Sequence, residues 1–572
     1  MNFENASDPP LAADANYDAE AAIPRGLSAW FGGPGVRIGP RIAPLIATGI
    51  PSSESDSDLS SEAILGKQLE AEADCAIQYR TCSWRKTAAL LFSEYICLAI
   101  MSFPWSYSIL GLVPGLILTV VQALLVLYTS LVLWGFCLRH PEVRDVCDIG
   151  QMLFWGKTWA WYFTAVMFIL NNTFIQALHV LIGAEYLNTM VGPNSSVACQ
   201  TVVFGVIATI ICWLASLPRT FDMLSKLGTA SAVFTFISVV LATIFSGIQA
   251  HPAGFIAEPT VDPDTGSPLP SGNPIFTAIP VTGTTFVAGL NAFLNISYTF
   301  IGQITLPSFI AEMRDPRDFP KALWACTILE IIVFSIVGSV IYVYTGNQYM
   351  TAPAFGSLET LYKKISFSFM IPTLIFLGCL YASVSARFLF FRLFQNSHHK
   401  NEHTWVGWGS WTLILRTLPL QWQKYVMLTD WLVVLWIAAF IIANVIPFFS
   451  SLLSLMSSLF DSFFGFIFWG LAYFRMREAD GHISLIKDRT VRGCLEGALN
   501  IVIILTGFFF LTAGTYVSVQ SIIDQFESGS VGTVFQCASN AEDINGIRQE
   551  WCGDIYDSST GARVEREGAY YD

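Results

Sequence analysis

The stretch Ile100-Met-Ser-Phe-Pro-Trp-Ser106 interrupts the first long apolar segment of this chain with one proline and two serines. Pro104 removes one backbone donor and disfavours helical geometry at Phe103, so a helix that contains it is kinked or broken. Inside a membrane such a break is tolerated where the freed backbone groups line a polar cavity. These residues therefore predict a discontinuous membrane helix.

The composition of the whole chain is that of a polytopic membrane protein. Its 572 residues are 53% hydrophobic and only 13% charged, whereas a soluble domain carries about 25% charged residues. This excludes a soluble enzyme, a nucleic-acid-binding protein and a disordered scaffold, and the net charge of −13 also argues against nucleic acid as a partner. The 12 cysteines show no metal-binding pairs and no disulfide framework, and we recognise no secretory signal peptide.

Apolar segments of about 20 residues or more follow one another after Lys86, and each is long enough to cross a hydrocarbon core of about 30 Å. The sequence thus predicts an all-α protein with eleven transmembrane helices. They lie at about 86–108, 112–138, 158–190, 197–217, 224–249, 285–313, 320–345, 366–394, 425–446, 449–474 and 495–521.

The sixth segment carries a second polar interruption, from Asn291 to Gln303. The first and sixth segments are five apart, which fits a 5+5 inverted repeat with broken helices 1 and 6 and an additional helix 11. A simple proline kink and polar contacts between helices are the alternative. The predicted division is a disordered cytosolic tail, a first repeat with helices 1–5, an extracellular loop, a second repeat with helices 6–10, a cytosolic loop with helix 11, and an extracellular tail. Their bounds are 1–84, 85–250, 251–284, 285–475, 476–521 and 522–572.

Lysine and arginine residues set the predicted orientation. One alternate set of connections carries 21 of them, whereas the opposite set carries only Lys363 and Lys364. We therefore expect a cytosolic N-terminus and, because the number of helices is odd, an extracellular C-terminus.

The two tails carry the expected modification sites. The acidic, serine-rich run 52–58 and Lys67 predict contact with phosphorylation and ubiquitin machinery, although a solvated tail without a specific role has the same composition. Of four glycosylation sequons, only Asn194 falls on the expected outer face. Cys537 and Cys552 lie in the extracellular tail, where a disulfide between them can persist, with Cys199 as a third candidate.

Several motifs resemble the amino acid/auxin permease family of the amino acid–polyamine–organocation superfamily. The first-helix pattern, the loop after helix 2, the loop after helix 4 and the run from helix 6 onward all match over about 86–521. The matching stretches are Glu94–Pro104, His140–Val143 with Asp148–Gly150, Leu217–Thr220, and Tyr298–Gly302 with Glu312–Pro316 and Asp318–Leu323.

The pattern looks most like that of the fungal neutral amino-acid permeases. The resemblance implies a leucine-transporter-type fold and secondary active uptake of amino acids, usually with protons. The chain departs from the family pattern at Cys97 and Ala99, where glycines are usual. It departs again at Gln303, where many members have histidine, and at Asp461, where a small residue is common.

In such a fold the substrate is held mainly by backbone groups. The resemblance implies that N–H groups near Ser102 and Ser106 take the substrate carboxylate and that carbonyls from Asn295 to Tyr298 take the ammonium. Aromatic and polar side chains then line or gate the pocket, and the candidates are Met101, Phe103, Trp105, Tyr298, Phe300, Asn172 and Gln176. Hydrogen bonding between helices is the alternative role of the two amides.

Coupling to an ion gradient needs a protonatable group or a cation cage. Glu94, Asp461 and Glu330, in that order of preference, lie inside the predicted membrane segments, and intramembrane carboxyls are functional candidates by default. A structural role is the alternative for each. A sodium cage built from Ser383, Ser385 and helix 1 carbonyls is the competing hypothesis.

We expect a proton-coupled importer of neutral aliphatic and aromatic amino acids in the plasma membrane rather than the vacuolar membrane. A sodium-coupled transporter and a transporter-like amino-acid sensor are the alternatives. We expect no cofactor, no catalytic residues, no metal site and no enzymatic activity; His398, His399 and His403 form the one histidine cluster and lie in a predicted loop. A seven-helix receptor fails on helix count, and a channel would need a continuous polar pore.

Overall fold

Long apolar helices make up most of the computed structural model. It describes residues 28–33, 36, 38–42, 82–143, 145–191, 200–216, 221–255, 257, 271–393, 431–481, 491–527, 535, 543–544 and 547–548. The helices, in chain order, are α1 Ser28–Phe31, α2 Trp84–Tyr95, α3 Phe103–Leu110, α4 Leu112–Arg139, α5 Val146–Leu153, α6 Thr158–Val191, α7 Thr201–Ala215, α8 Phe221–Ile248, α9 Phe286–Phe300, α10 Leu306–Glu312, α11 Phe319–Thr345, α12 Thr360–Leu393, α13 Trp431–Val445, α14 Phe449–Met456, α15 Phe468–Ala479, α16 Val491–Phe509 and α17 Thr515–Glu527.

Shorter elements connect some of these helices. Leu98–Ser102 and Ala354–Ser357 are 3₁₀ turns, as is Pro316–Asp318, while Ser457–Ile467 and Phe510–Gly514 are π-helical. Two strands of two residues each, β1 Asp543–Ile544 and β2 Ile547–Arg548, pair antiparallel with Asp543 opposite Arg548.

Among the described residues, seven helical stretches are long and apolar enough to cross a membrane, or eight if the bent pair α2 and α3 is counted as one. Each apolar segment identified in the sequence overlaps with one of the helices or helix groups. The chain is thus a helical polytopic membrane protein.

The lipid-facing sides of the helices are apolar, as expected of a protein whose solvent is lipid. The interior contains apolar side chains together with buried polar ones. On α4, Val113, Ile117, Val121 and Leu124 are exposed and recur at helical spacing. The opposite face buries polar residues instead: Thr119, Gln122, Thr129 and Ser130. Since no water reaches the hydrocarbon core, such groups need partners inside the bundle. Thr119 bonds to Tyr107 of α3 and Thr129 accepts from Gln303, while Ser130 Oγ has no described partner.

Hydrogen bonds and small residues hold α4 against its neighbours. The Gln122 amide donates to the Ser297 hydroxyl of α9 at 2.7 Å. Tyr107 of α3 lies where a β-carbon on Gly115 or on Gly338 would come within 2.4 or 2.6 Å of its ring. Glycine at both positions therefore lets α3 insert between α4 and α11.

The first membrane helix is broken at Ile96 and Cys97, and its two parts are bent by 46°. Cys97 is extended, and the chain then forms the 3₁₀ turn before α3 begins. Pro104 lies in the first turn of α3, where a proline removes no intrahelical hydrogen bond. The discontinuity is therefore present, but it lies closer to Glu94 than the proline alone indicates.

The sixth apolar segment is broken in the same way. α9 ends at Phe300, Ile301 is extended, and α10 begins at Leu306 with Pro307 in its first turn. One end of α10 is joined to the beginning of α2, because the Cys82 N–H donates to the Glu312 carbonyl at 3.1 Å. The two broken helices are therefore tied together at one end of the bundle.

Part of the segment predicted to be a disordered tail packs against the bundle. Val36 and Ile42 are buried. Trp30 contacts the beginning of α11, and Ile42 contacts His140, which follows α4. We call residues 30–33, 36 and 38–42 the N-terminal strap. The end of the bundle that it covers is called the strap end.

Candidate functional site

A cavity of about 50 Å³ lies where the two helix breaks meet. Because a single water needs about 10–15 Å³ of such space, the cavity has room for several water-sized groups. Its walls come from both breaks, from α2, α6, α9 and α12, and from the π-helical segment after α14. The lining residues are Glu94, Tyr95, Cys97, Asn171, Ile175, Tyr298, Thr299, Ile301, Gly302, Ile304, Tyr381, Asp461 and Phe464.

Two carboxyl groups enter this cavity from opposite elements. Glu94 lies one residue before the end of α2, and its Oε1 accepts a hydrogen bond from the Tyr381 hydroxyl at 3.0 Å. The Thr305 hydroxyl, which also lies near Glu94, donates to the Gly302 carbonyl at 2.8 Å. The Glu94 Oε2 atom is buried and has no hydrogen-bond partner among the described residues. An ionised carboxylate in this position is costly unless a ligand or proton compensates it.

Asp461 is the second carboxyl, and it is presented by the π-helical segment Ser457–Ile467. Neither Asp461 Oδ2 nor the Ser457 hydroxyl has a hydrogen-bond partner among the described residues. A π-helical turn leaves the regular backbone ladder out of register and is frequent at functional sites. No lysine or arginine is among the described residues that line the cavity, so neither carboxyl is neutralised by a basic side chain in its wall.

Between the two helix breaks, the ring of Tyr95 packs against Gly302. A β-carbon on Gly302 would lie 2.8 Å from the Tyr95 ring and hydroxyl. The absence of a side chain at Gly302 therefore lets the end of α2 approach the segment that follows α9. This close approach brings Glu94 and Tyr298 to the same cavity.

The predicted residues near Pro104 lie outside the cavity wall. Met101, Ser102, Phe103 and Ser106 are buried, and Ser102 Oγ donates to the Ala99 carbonyl at 2.7 Å. The Phe103 ring packs 6.0 Å from that of Phe300 and 5.0 Å from that of Phe334. Trp105 is half-buried and also lies outside the cavity wall.

Two of the three predicted amides, Asn295 and Asn172, bond to a neighbouring helix, whereas Gln176 bonds within its own helix. Asn295 Nδ2 donates to the Asn291 carbonyl at 2.9 Å and to the Ser450 carbonyl at 3.0 Å. Asn172 Nδ2 donates to Ser385 Oγ at 2.9 Å, and Gln176 Nε2 donates to the Asn172 carbonyl. Of the predicted substrate-binding residues, the structure therefore brings only Tyr298 to the cavity wall.

The other predicted coupling residues are not among the described residues that line the cavity. Glu330 of α11 is buried, and its Oε1 accepts a hydrogen bond from Cys326 Sγ at 3.1 Å. The Ser383 hydroxyl, proposed for sodium, is buried without a described partner. Asn194, Cys537, Cys552, Cys199, Lys67, the serine-rich run 52–58 and the histidine cluster all fall outside the described residues.

Ten of the thirteen residues that line the cavity were not selected as site residues from the sequence: Tyr95, Cys97, Asn171, Ile175, Thr299, Ile301, Gly302, Ile304, Tyr381 and Phe464. Tyr381 carried a usable signal, because it is a hydroxyl-bearing residue near Ser383 and Ser385 in an otherwise apolar segment. Tyr95 and Cys97 stand beside Glu94 but are apolar enough to be expected in a helix core. Phe464 has no distinguishing pattern.

A bundle of apolar helices with two discontinuous members and a polar cavity at their breaks defines the class of membrane transporters with interrupted helices. Residues 80–520 match the family described as transmembrane amino acid transporter protein. The chain belongs to this family, and its relatives are transporters.

Three curated relatives are similar over most of their length. An N amino acid transport system protein from Neurospora crassa is 29% identical over 476 residues, which cover 83% of this chain and 92% of the relative. A transmembrane transporter from Gibberella moniliformis is 28% identical over 465 residues, covering 81% and 89%. Another from Fusarium pseudograminearum is 26% identical over 480 residues, covering 84% and 92%.

Proposed function

We propose that the chain imports neutral aliphatic and aromatic amino acids by proton symport, with alternating access to the cavity at the two helix breaks. The observation that carries this proposal is the meeting of two interrupted helices and two buried carboxyls, Glu94 and Asp461, in one cavity. Family membership supports amino-acid transport in general. The Neurospora crassa relative is named as an amino acid transport system protein, which agrees with the proposal.

The helix termini supply partners for both ends of an amino acid. Tyr298 and Thr299 lie in the last turn of α9, where helix carbonyls carry partial negative charge and suit the ammonium group. Cys97 precedes the 3₁₀ turn that begins at Leu98, where N–H groups suit the carboxylate. We therefore move the proposed carboxylate site from the region of Ser102–Ser106 to the turn after Cys97.

Glu94 is the proposed proton-coupling residue, and Asp461 is the second candidate. Glu94 has one oxygen held by Tyr381 and one without a described partner, which leaves a position for a proton beside the substrate. No cofactor is needed for this cycle, because the coupling ion is the proton.

Eleven membrane crossings are proposed for the whole chain. Seven long spans and the bent pair account for eight, and three shorter apolar helices would complete the number: Thr201–Ala215, Phe286–Phe300 and Val434–Val445. In this arrangement the breaks fall in the first and sixth crossings, which supports two inverted repeats within 85–250 and 285–475. Residues 251–284 and 522–572 are then extracellular. Residues 1–84 and the loop between α15 and α16, which precedes the eleventh crossing, are cytosolic.

The proposed location is the plasma membrane. The proposed cytosolic tail would meet phosphorylation and ubiquitin machinery at residues 52–58 and Lys67. In the proposed extracellular regions, Asn194 is the glycosylation site and Cys537 and Cys552 form a disulfide.

Sodium coupling is the second candidate, and one observation favours it. The Ser383 hydroxyl is buried without a described partner on α12, and α12 packs against the 3₁₀ turn of the first broken helix. The neighbouring Ser385 is already engaged by Asn172. A transporter-like sensor would share the same cavity but would show no concentrative uptake.

The test is uptake of a labelled neutral amino acid in permease-deficient cells, with a panel of unlabelled amino acids as competitors. Glu94→Gln keeps an oxygen that can accept from Tyr381 but removes the titrating group. We expect it to bind substrate while losing accumulation driven by external acidity. Glu330→Gln tests the third predicted coupling residue in the same way: Glu330 is also buried but does not line the cavity, so we expect this variant to keep accumulation driven by external acidity.

The outcomes separate the hypotheses. Normal concentrative uptake by Glu94→Gln would remove Glu94 from the mechanism. Uptake that survives collapse of the proton gradient but disappears without sodium would replace the proton by sodium. Substrate binding without any uptake would favour the sensor.

A further inference from the structure

The N-terminal strap begins with three successive contacts to the beginning of α11 and the turn before it. The Trp30 carbonyl accepts a hydrogen bond from Trp324 Nε1 at 2.8 Å. The Phe31 ring stacks on that of Trp324, with centroids 5.5 Å apart. The Gly33 N–H donates to the Arg317 carbonyl at 3.0 Å. Backbone and ring contacts thus fix this part of the strap at one place.

Two neighbouring glycines differ in what they allow here. Gly32 has a φ of +70°, and a β-carbon on it would lie 2.2 Å from the Arg317 carbonyl oxygen. Gly33 also has a positive φ, but a β-carbon there would meet nothing within 4 Å. The close approach of the strap to the bundle requires glycine at position 32, whereas at position 33 the φ of +110° alone favours glycine, because an L side chain is strained there.

The strap ends on the last residues of α4 and the turn that follows them. The Ile42 N–H donates to His140 Nε2 at 3.0 Å, and the Arg41 guanidinium forms an ion pair with Glu142. The Arg139 guanidinium donates to the Pro40 carbonyl at 3.3 Å. The strap therefore joins α11 to α4 across the strap end.

The same arginine extends this connection to a third helix. Arg139 Nη1 and Nη2 donate to the two Asp480 carboxylate oxygens at 2.8 and 2.9 Å. Asp480 follows α15, and Nη1 also donates to the Met476 carbonyl within that helix. α15 continues the helix whose π-helical segment carries Asp461 into the cavity. Arg139 therefore links the strap directly to the helix that carries Asp461 into the cavity wall.

We propose that the N-terminal strap is an autoinhibitory latch that holds α4, α11 and α15 together and keeps the cavity closed toward the strap end. In this proposal a path from the cavity to that end opens when these helices separate, and the strap spans all three directly or through Arg139. Trp30 and Phe31 remain substantially exposed while they contact α11, so this end of the strap can detach without unpacking the bundle core.

The latch depends on the proposed function in one respect only: in a transporter, opening of the cavity is what lets the substrate pass. Its physical content is that release of the strap exposes the cavity. Cys97 lines the cavity and provides a natural reporter, because alkylation of its thiol can be read at that residue by peptide mass spectrometry.

The experiment uses the full-length protein in sealed vesicles in which trypsin reaches Arg41, so that the strap end faces the reagent. Cleavage after Arg41 measures strap release, and a water-soluble maleimide measures access to Cys97. In Gly32→Ala we expect both rates to rise about fivefold, the effect of losing interactions worth about 1 kcal/mol. Gly289→Ala on α9, whose methyl group would meet nothing within 4 Å and whose φ is not positive, is the control and should leave both rates close to those of the unmodified chain.

Phe31→Ala is the second variant, because it removes an exposed ring and is compatible with folding even if the glycine change is not. It should also accelerate both reactions. Faster cleavage with unchanged Cys97 alkylation in either variant would overturn the latch, since the strap would then be released without opening the cavity. Unchanged cleavage in both variants would overturn it as well. Because neither measurement depends on uptake, failure of the latch is distinguishable from failure of the proposed transport.

Discussion

Glu94 is a buried carboxyl in the cavity wall with only one of its two oxygens hydrogen-bonded to a described residue. Tyr381 of α12 engages one of its oxygens, while the other has no described partner. A carboxyl with both oxygens bonded would be explained as a structural link between two helices. The unsatisfied oxygen, at the break of α2 and beside Cys97, makes Glu94 a place where a proton or a substrate ammonium would improve the local electrostatics.

Gly302 controls how closely the two breaks approach each other. Gly302→Ala would place a methyl group 2.8 Å from the Tyr95 ring, and overpacking of this kind costs about 1–3 kcal/mol. We expect lower thermal stability and a large loss of uptake, because Tyr95 and the neighbouring Glu94 must move. Uptake rates and thermal unfolding of the purified protein measure the two effects.

Gly289→Ala is the matched control for this prediction. Gly289 lies near the beginning of α9, the helix that ends at the second break, and a β-carbon there would meet nothing within 4 Å. We expect it to be neutral or slightly stabilising, because alanine favours helix over glycine. Equal uptake in the two variants would show that the Tyr95 contact does not position the cavity.

At the scale of elements, the sequence identified the discontinuous helices but not the position of the first break. Pro104 is the visible signal, yet proline is well accommodated in the first turn of α3. The break lies instead at Ile96 and Cys97, next to the tyrosine that packs on Gly302. Because that contact joins residues about 200 positions apart in the chain, no local pattern announces it.

The position of Asp461 shows a similar limit. Its position inside an apolar segment was enough to select it as a candidate from the sequence. The structure places it in the cavity wall. The π-helical turn that presents it has no recognised signature in the sequence. The serines around it, including Ser457, are typical of polar contacts between membrane helices as well as of a site.

The strap element should respond to pH through His140. Its Nε2 accepts the Ile42 N–H, its Nδ1 faces Glu142, and Phe136 packs against its ring. Burial lowers the pKa of His140, although Glu142 opposes this shift; Arg41 and Arg139 reinforce it. Burial by itself would raise the pKa of Glu142, but His140 and Arg41 hold it below its usual value.

The sign of the pH effect follows from the neutral form of His140. Protonation removes the acceptor at Nε2, so docking is complete above the ordinary histidine pKa of about 6.5. Docking weakens as the pH falls from that value through the lowered pKa of the docked state. We expect faster hydrogen–deuterium exchange in the strap peptide ending at Ile42 on acidification, after correction for intrinsic exchange rates.

His140→Gln is the variant that isolates this titration. Its amide oxygen can accept from Ile42 and its amide N–H can donate to Glu142, but the group does not titrate. Its strap should keep the same corrected exchange rate across the same pH range. An identical acid response in His140→Gln would assign the effect to another group near the strap.

For the whole molecule, composition predicted the class and the segment pattern predicted the helices, because lipid demands apolar surfaces of fixed length. The cavity could be predicted only in part. Glu94, Asp461 and Tyr298 were recognisable as polar residues inside apolar segments, whereas Phe103 and Phe300 proved to pack against each other. Side-chain partners depend on helix rotation, which weakly amphipathic membrane helices do not reveal in their sequence.

The number of crossings can be tested through the positions of the two termini. Eleven crossings place the termini on opposite sides, whereas an even number, such as the eight long or bent spans alone, places them on the same side. The 21 basic residues of one set of connections, against two in the other, favour a cytosolic N-terminus. We therefore expect an epitope after Asp572 to be labelled by antibody in intact cells. An epitope before Met1 should be labelled only after permeabilisation, and labelling of both epitopes in intact cells, or of neither, would contradict an odd number of crossings.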